Sequence, residues 1–263
     1  MNTLVKCFLM KIAIVKISAL GDIVNSMVVL QFIKRHYPNS KIDWIVEKSL
    51  KGILENNNDI DQIHTVNFKK IKKNKSLISL YIELSKIKNF GKYDVVIDLQ
   101  GLIKTAIISW LIDANKVVGF DTYSIRERLA SYVYDQKVSI GYDNNSILRN
   151  VKLVSDALDI NITKNEINRK DPFLFFKSKL SIPESKYIVL IVGSTWESRN
   201  YPKEKYVQIA NLLKKECLVV WGNERERKKA EWMGNESNQI KVMPKLNLDD
   251  LKYLISCSSL LIG

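Results

Sequence analysis

The sequence predicts an α/β fold made of two parallel-sheet domains in succession. Short apolar runs of strand length alternate with stretches of helical period along the chain, and one polar, proline-containing interval divides that alternation in two. Composition agrees: 263 residues, 46% apolar and 26% charged, suffice for one large or two ordinary cores.

In the first half, residues 12–17, 42–46, 94–99 and 116–120 are nearly continuous apolar runs, the pattern of strands buried on both faces. Between them, 23–35, 76–89 and 102–112 carry helical periodicity, and in the second of these Leu77, Leu80, Leu84 and Ile87 fall on one face. A helix over 145–158 closes this half, so the first domain is expected to span 1–158. Residues 159–185 are polar, contain Pro172 and Pro183 and lack periodicity, which reads as a linker. The second domain, 186–263, repeats the pattern. A strand over 186–192 leads through the loop 193–201 to a helix opened by Pro202 in its first turn. A strand over 217–220 precedes Gly222 and a charged helix over 224–233, and a strand over 240–242 precedes a helix over 248–256. The last strand, 258–262, reaches its functional end where the chain stops, so this domain is expected to be incomplete.

No apolar run reaches the ~18 residues of a membrane span. Lys11 and Lys16 interrupt the apolar N-terminus and no small-residue cleavage site follows, so Met1 to Phe8 read as a short extension, with Met10 a second candidate start. Cys7, Cys217 and Cys257 are odd in number and widely spaced, which argues for a reducing compartment and against disulfides or a zinc site. The net charge is +13, and Lys69, Lys70, Lys72, Lys73, Lys75, Lys86, Lys88 and Lys92 crowd one stretch against a single acid, Glu83. Such a patch suits an anionic partner: nucleic acid, an anionic membrane face or a phosphorylated substrate. A solvated lysine-rich loop is the plain alternative.

The candidate chemistry sits at predicted strand ends, where open α/β sheets place their ligands. Asp22 follows the first strand and opens a helix. It can cap that helix, bind a substrate hydroxyl, or take a proton from it. Ser18 and Gly21 in the same turn suit a backbone that approaches a ligand closely. Gln100, Gly101 and Lys104 follow the strand that ends near Asp98, and Arg126 and Arg128 follow the next one. These cations can face an anion or simply be solvated. In the second half, Ser194, Thr195 and Arg199 precede a helix start, a setting for a diphosphate, although the segment is neither a P-loop nor G-x-G-x-x-G. The acidic residues of the WGNERE segment can accept ribose hydroxyls or favour a helix start through its dipole. His36 and His64 have no partners at metal or triad spacing.

Taken in order, KIAIVKISALGD, YDVVIDLQGLIKT, IRERLASYVYD, GSTWESRNYPKEKY, VVWGNERER and VMPKLNLDDL resemble glycosyltransferase family nine, from about Met10 to Gly263. The resemblance implies a GT-B architecture, two Rossmann-like domains facing a cleft, with acceptor on the first and nucleotide-sugar donor on the second. It implies ADP-L-glycero-β-D-manno-heptose as donor, a Kdo residue of Kdo-lipid A as acceptor, and an inverting reaction at the cytoplasmic face of the inner membrane. No metal or cofactor beyond the donor is expected, and no nucleic acid. By position, Asp22 becomes the general base, and Ser194 and Thr195 contact the donor phosphates. Arg199 stands where the family usually has a phosphate-neutralising lysine, Glu226 falls on the ribose-binding glutamate, and Leu246 lies against adenine. Lys69, Lys70, Lys72 and Lys73 occupy the basic acceptor loop, with Arg126 a further acceptor-side cation and Ser18, Gly21, Gln100, Gly101 and Lys104 around them. The family continues after LLIG into Asp-Thr-Gly-x-x-His, which is absent here, so this chain is expected to bind donor weakly and turn over little. Two competing readings are a family member whose acceptor is heptose, and a basic nucleic-acid-binding protein.

Overall fold

The computed structural model describes residues 9–74, 76–194 and 200–263, without the side chains of 72 and 73. The chain divides into two compact units between Leu174 and Phe175.

The first unit is one parallel sheet with helices. Its central strand β1 (Lys11–Val15) is buried because Ile12, Ala13, Ile14 and Val15 are all apolar and covered on both faces. The chain continues through α1 (Leu20–Met27) and α2 (Val29–His36) to β2 (Lys41–Glu47) and β3 (Gln62–Val66). Next come α3 (Phe68–Asn74), α4 (Leu77–Lys88), the short β4 (Lys92–Tyr93) and β5 (Val95–Asp98). The unit closes with α5 (Ile103–Leu111), β6 (Asp113–Ala114), β7 (Val117–Phe120), a 3-10 turn (Arg128–Val133), β8 (Gln136–Val138), α6 (Ser146–Leu158) and α7 (Lys164–Asn168). The main sheet runs β3-β2-β1-β5-β7-β8 with every pair parallel, and β4 and β6 form a separate two-stranded piece. Its core includes Trp44, Phe32, Ile14 and Leu30, each fully buried and contributing about 1.5–3 kcal/mol of transfer free energy.

The predicted strands are present, and the structure adds α3, β4, β6 and β8 to them and differs at four further points. The stretch expected as one helix over 23–35 is two, α1 and α2, meeting at Val28. β3 was not foreseen, because it is a half-buried edge strand with polar Gln62, His64 and Thr65 in place of an apolar run. In α4 the expected inner face is kept by half-buried Leu80 and Leu84 and buried Ile87, and Leu77 alone, at the first position of the helix, points to solvent. The stretch read as a linker contains α7, closed by a capping box between Thr163 and Glu166.

The second unit holds β9 (Ile188–Ile191), α8 (Lys203–Leu213), β10 (Cys217–Val220), α9 (Glu224–Glu236), β11 (Ile240–Val242), α10 (Leu248–Ser256) and β12 (Leu260–Ile262). Its parallel sheet runs β11-β10-β9-β12, with Leu190, Val219, Ala230 and Met233 in the core on one face.

In each sheet the strand order reverses beside the unit's first strand: between β1 and β5 in one, between β9 and β12 in the other. A crevice outside the carboxyl ends of the strands at such a reversal is where doubly wound sheets bind ligands. Asp22 and Gln100 follow β1 and β5, and Ser194 follows β9.

Candidate functional site

Asp22 is the third residue of α1 and is exposed. Its Oδ2 accepts the Ala19 N–H at 3.2 Å, so the carboxylate satisfies one backbone donor at the helix start from position N3. Its other oxygen takes no hydrogen bond from the described residues, and Asp22 lines a cavity of about 330 Å³. Helix capping and contact with a bound molecule are therefore compatible here.

The loop that carries Asp22 is fixed from across the sheet. The Ile17 and Ser18 N–H groups donate to Gln100 Oε1 at 3.0 and 3.1 Å. Gln100 is itself set by Asp98, whose Oδ1 accepts the Gln100 N–H at 2.8 Å and the Gly101 N–H at 3.1 Å. Asp98 Oδ2 accepts the Tyr134 hydroxyl at 2.8 Å. Asp98 is fully buried, and burial pushes its carboxyl upward against the lowering effect of these donors. Gly101 completes the turn at φ +67°, where a Cβ would stand 2.6 Å from the Ile125 side chain, so only glycine fits. Gln100, expected on the acceptor side, lines this cavity, and its amide oxygen also holds the loop that presents Asp22.

Lys16 is buried at the end of β1, and its Nζ donates to the Leu99 carbonyl at 2.9 Å. Burial pushes this ammonium below the usual lysine range, opposed by attraction to Asp22 and Asp98. On the far wall of the cavity, Arg149 is held by the carbonyls of Ile140 and Gly141 at 3.2 and 2.9 Å, and by that of Ser124. Its guanidinium lies 4.8 Å from the ring centres of both Phe120 and Tyr142. Asn150 donates to Ser26 Oγ at 2.9 Å, and Ser26 donates to the Asp22 carbonyl at 2.7 Å, which ties α6 to the turn bearing the carboxylate. Arg126 is exposed on the same cavity and bonds to none of the described residues. One carboxylate thus faces a concave wall carrying Lys16, Arg126 and Arg149, a setting for a polyanionic molecule that offers a hydroxyl.

A second cavity of about 380 Å³ is lined by Ser18, Glu47, Phe68, Lys69, Ile71 and Lys104. Glu47, buried at the end of β2, accepts the Lys69 N–H at 3.4 Å, and burial pushes its carboxyl up. This bond fixes the start of α3, the basic helix. Lys69 Nζ bonds Ser49 Oγ at 3.2 Å, and Lys70 is exposed. The side chains of Lys72 and Lys73 lie outside the described residues. Gly21 is exposed with open space around it.

In the second unit, Glu226 closes a local motif at the start of α9. Its Oε2 accepts the Gly222 N–H at 2.7 Å, its Oε1 accepts Asn223 Nδ2 at 2.6 Å, and its own N–H donates to Asn223 Oδ1 at 3.0 Å. A Cβ on Gly193 would lie 2.2 Å from the Glu226 carboxyl carbon, so the absence of a side chain there admits the carboxylate beside the end of β9. Ser194 is exposed next to it. Thr195 and Arg199 lie outside the described residues. Leu246 is half-buried against the core that contains Tyr187 and Val189. Among the described residues, no three His, Cys, Asp or Glu side chains gather as a metal site.

Lys16, Asp98, Tyr134, Arg149 and Asn150 belong to the first cavity or its support, and the sequence did not single them out. Lys16 left one signal, a lysine inside an otherwise apolar strand run. The others are joined only by pairing across the sheet.

The family described as Glycosyltransferase family 9 (heptosyltransferase) matches residues 85–263. The lipopolysaccharide heptosyltransferase 1 of Campylobacter coli is 35% identical across 97% of this chain and 78% of that protein. The protein of that name from Pseudomonas aeruginosa is 26% identical across 94% of this chain and 71% of its own length. The solved structure of the E. coli heptosyltransferase WaaC with ADP-2-deoxy-2-fluoro heptose superposes with a TM-score of 0.84 at 23% identity, covering 96% of this chain and 82% of that one.

Proposed function

The chain belongs to glycosyltransferase family 9, the heptosyltransferases of the GT-B fold, and from that premise we propose that it transfers L-glycero-D-manno-heptose from ADP-heptose to a Kdo residue of Kdo-lipid A. The observation that carries this reading is Asp22 on the wall of the first cavity, with one carboxylate oxygen tied to the Ala19 N–H and the other open. That oxygen accepts the proton of the acceptor hydroxyl as the hydroxyl oxygen bonds to the anomeric carbon. The bond from that carbon to the diphosphate breaks on the opposite side, ADP leaves with the electron pair, and configuration inverts. A base held by its own helix start and by the Gln100 bonds needs little reorganisation at that moment.

Arg126 and Arg149 face the carboxylates or phosphates of the acceptor, and exposed Lys69 and Lys70 of α3 add positive charge on the same unit. On the donor side, Ser194, Thr195 and Arg199 take the diphosphate, Glu226 the ribose hydroxyls and Leu246 the adenine. The reaction is assigned to the cytoplasmic face of the inner membrane, and no described helix is long and apolar enough to cross a membrane.

The test is heptose transfer to Kdo-lipid A by the wild type and by Asp22→Asn. The amide still accepts the Ala19 N–H and cannot take a proton, so kcat should fall about 10²–10⁴-fold with the fold unchanged. Retained activity in Asp22→Asn would remove the base from Asp22, and transfer only to a heptose-terminated acceptor would move the substrate to the competing family reading.

A further inference from the structure

The first unit exposes an apolar face that neither cavity uses. On α4, Leu77, Ile78, Tyr81 and Ile82 are 60–81% exposed and share one side of the helix. On α5, Ile103, Ile107 and Trp110 point outward at positions i, i+4 and i+7. The 3-10 turn adds Leu129 and Tyr132. α5 packs against both α4 and the 3-10 turn, so these exposed side chains stand on adjoining elements. Apolar patches of this extent on a folded protein mark interaction sites.

We infer that the α4, α5 and 3-10 face is a docking surface for an anionic phospholipid bilayer. Charge decides the occupant. The same elements and their flanks carry exposed Lys69, Lys70, Lys86, Lys88, Lys92, Lys104 and Arg128, and in the sequence from Phe68 to Lys92 the one acid is Glu83. Tyr81, Trp110 and Tyr132 are the amphipathic aromatics that settle at a bilayer interface, and lysine stems extend past apolar neighbours to reach headgroups. Apolar side chains that dip below the headgroups, with cations beside them, are the signature of a helix lying in the interface plane. A second copy of this chain is the weaker occupant, since a two-fold contact would press these cations against their own copies.

The inference extends the proposed reaction, whose acceptor is a lipid, but it is tested without that acceptor. The full chain is sedimented with vesicles of phosphatidylglycerol and phosphatidylcholine, and with vesicles of phosphatidylcholine alone. Binding is expected to the anionic vesicles only, and to weaken with salt. Ile78→Ser with Ile82→Ser, and separately Ile107→Ser with Trp110→Ser, should each weaken it about tenfold. All four positions are exposed, so thermal melting should match the wild type. Three results would overturn the inference: no vesicle binding, binding that these substitutions leave unchanged, or a concentration-dependent dimer that the same substitutions dissolve. Transfer to a deacylated acceptor, measured in parallel, separates the two claims. Its loss with vesicle binding intact refutes the reaction, and the reverse refutes the surface.

Discussion

The two candidate sites are held by bonds of different reach. In the first unit, the contacts that fix the turn bearing Asp22 join residues 82 and 83 positions apart, from Gln100 to Ser18 and Ile17. In the second, Glu226 bonds to Gly222 and Asn223, four and three positions away. The first arrangement exists only when β1 and β5 are paired. The second needs little more than the first turn of α9. Damage to the long-range support should therefore appear in global stability and in turnover, and damage to the local motif in one binding constant.

The strongest test of that contrast is Asp98→Ala. The change leaves the Gln100 and Gly101 N–H groups and the Tyr134 hydroxyl without their acceptor in the interior. Unmet buried donors cost about 1–3 kcal/mol each before relaxation, so a loss of about 3 kcal/mol or more is expected in denaturant unfolding. A loss below about 1 kcal/mol would mean that the support is replaceable. Asp98→Asn keeps an acceptor for the backbone donors and sharpens the point through pH. Because burial raises the Asp98 carboxyl in the folded state, the unfolded chain releases that proton first. Stability from this group is complete below its ordinary value of 3.8 and declines as pH rises toward the elevated folded value. Asp98→Asn should remove that decline, seen as a flatter dependence of unfolding free energy on pH through this window.

Gln100→Ala is the next test, and it separates two roles for one residue. If Gln100 acts by holding the Ile17 and Ser18 N–H groups, its removal loosens the turn under Asp22, and kcat should fall about 10-fold or more with acceptor KM little changed. If it binds acceptor directly, as the family resemblance implied, acceptor KM should rise instead.

The same difference in reach explains what the sequence disclosed. Strands such as β1, β5 and β9 are continuous apolar runs, and Asp22 sits in a Gly-Asp helix opening, so both are visible within a dozen residues. The start of α9 was legible for the same reason, with Glu224 and Glu226 both in its first turn, and the family resemblance singled out Glu226. Arg149 was not. Within its own helix α6 it is one of two cations, with Lys152, and its setting between Phe120 and Tyr142 depends on how α6 packs over β7. The support from Asp98 was equally hidden, because Tyr134 joins it only across the sheet. β3 escaped because an edge strand needs to bury only part of its surface.

The smallest effects are expected around Glu226, where two routes lead to one lesion. Glu226→Ala deletes the carboxylate, and Gly193→Ala should displace it, since the new Cβ would meet the carboxyl carbon at 2.2 Å. A glutamate tip can swing aside, so neither change should cost more than about 1 kcal/mol of stability. Both oxygens already accept one bond each, and each retains a lone pair for a ribose hydroxyl. Each variant should therefore raise donor KM by about three- to tenfold, the loss of one or two hydrogen bonds. The double variant should be no worse than either single one, because the second change finds nothing left to remove. Donor KM values that multiply in the double variant would show that Gly193 serves the donor by some means other than admitting Glu226, and the second site would then reach beyond its local motif.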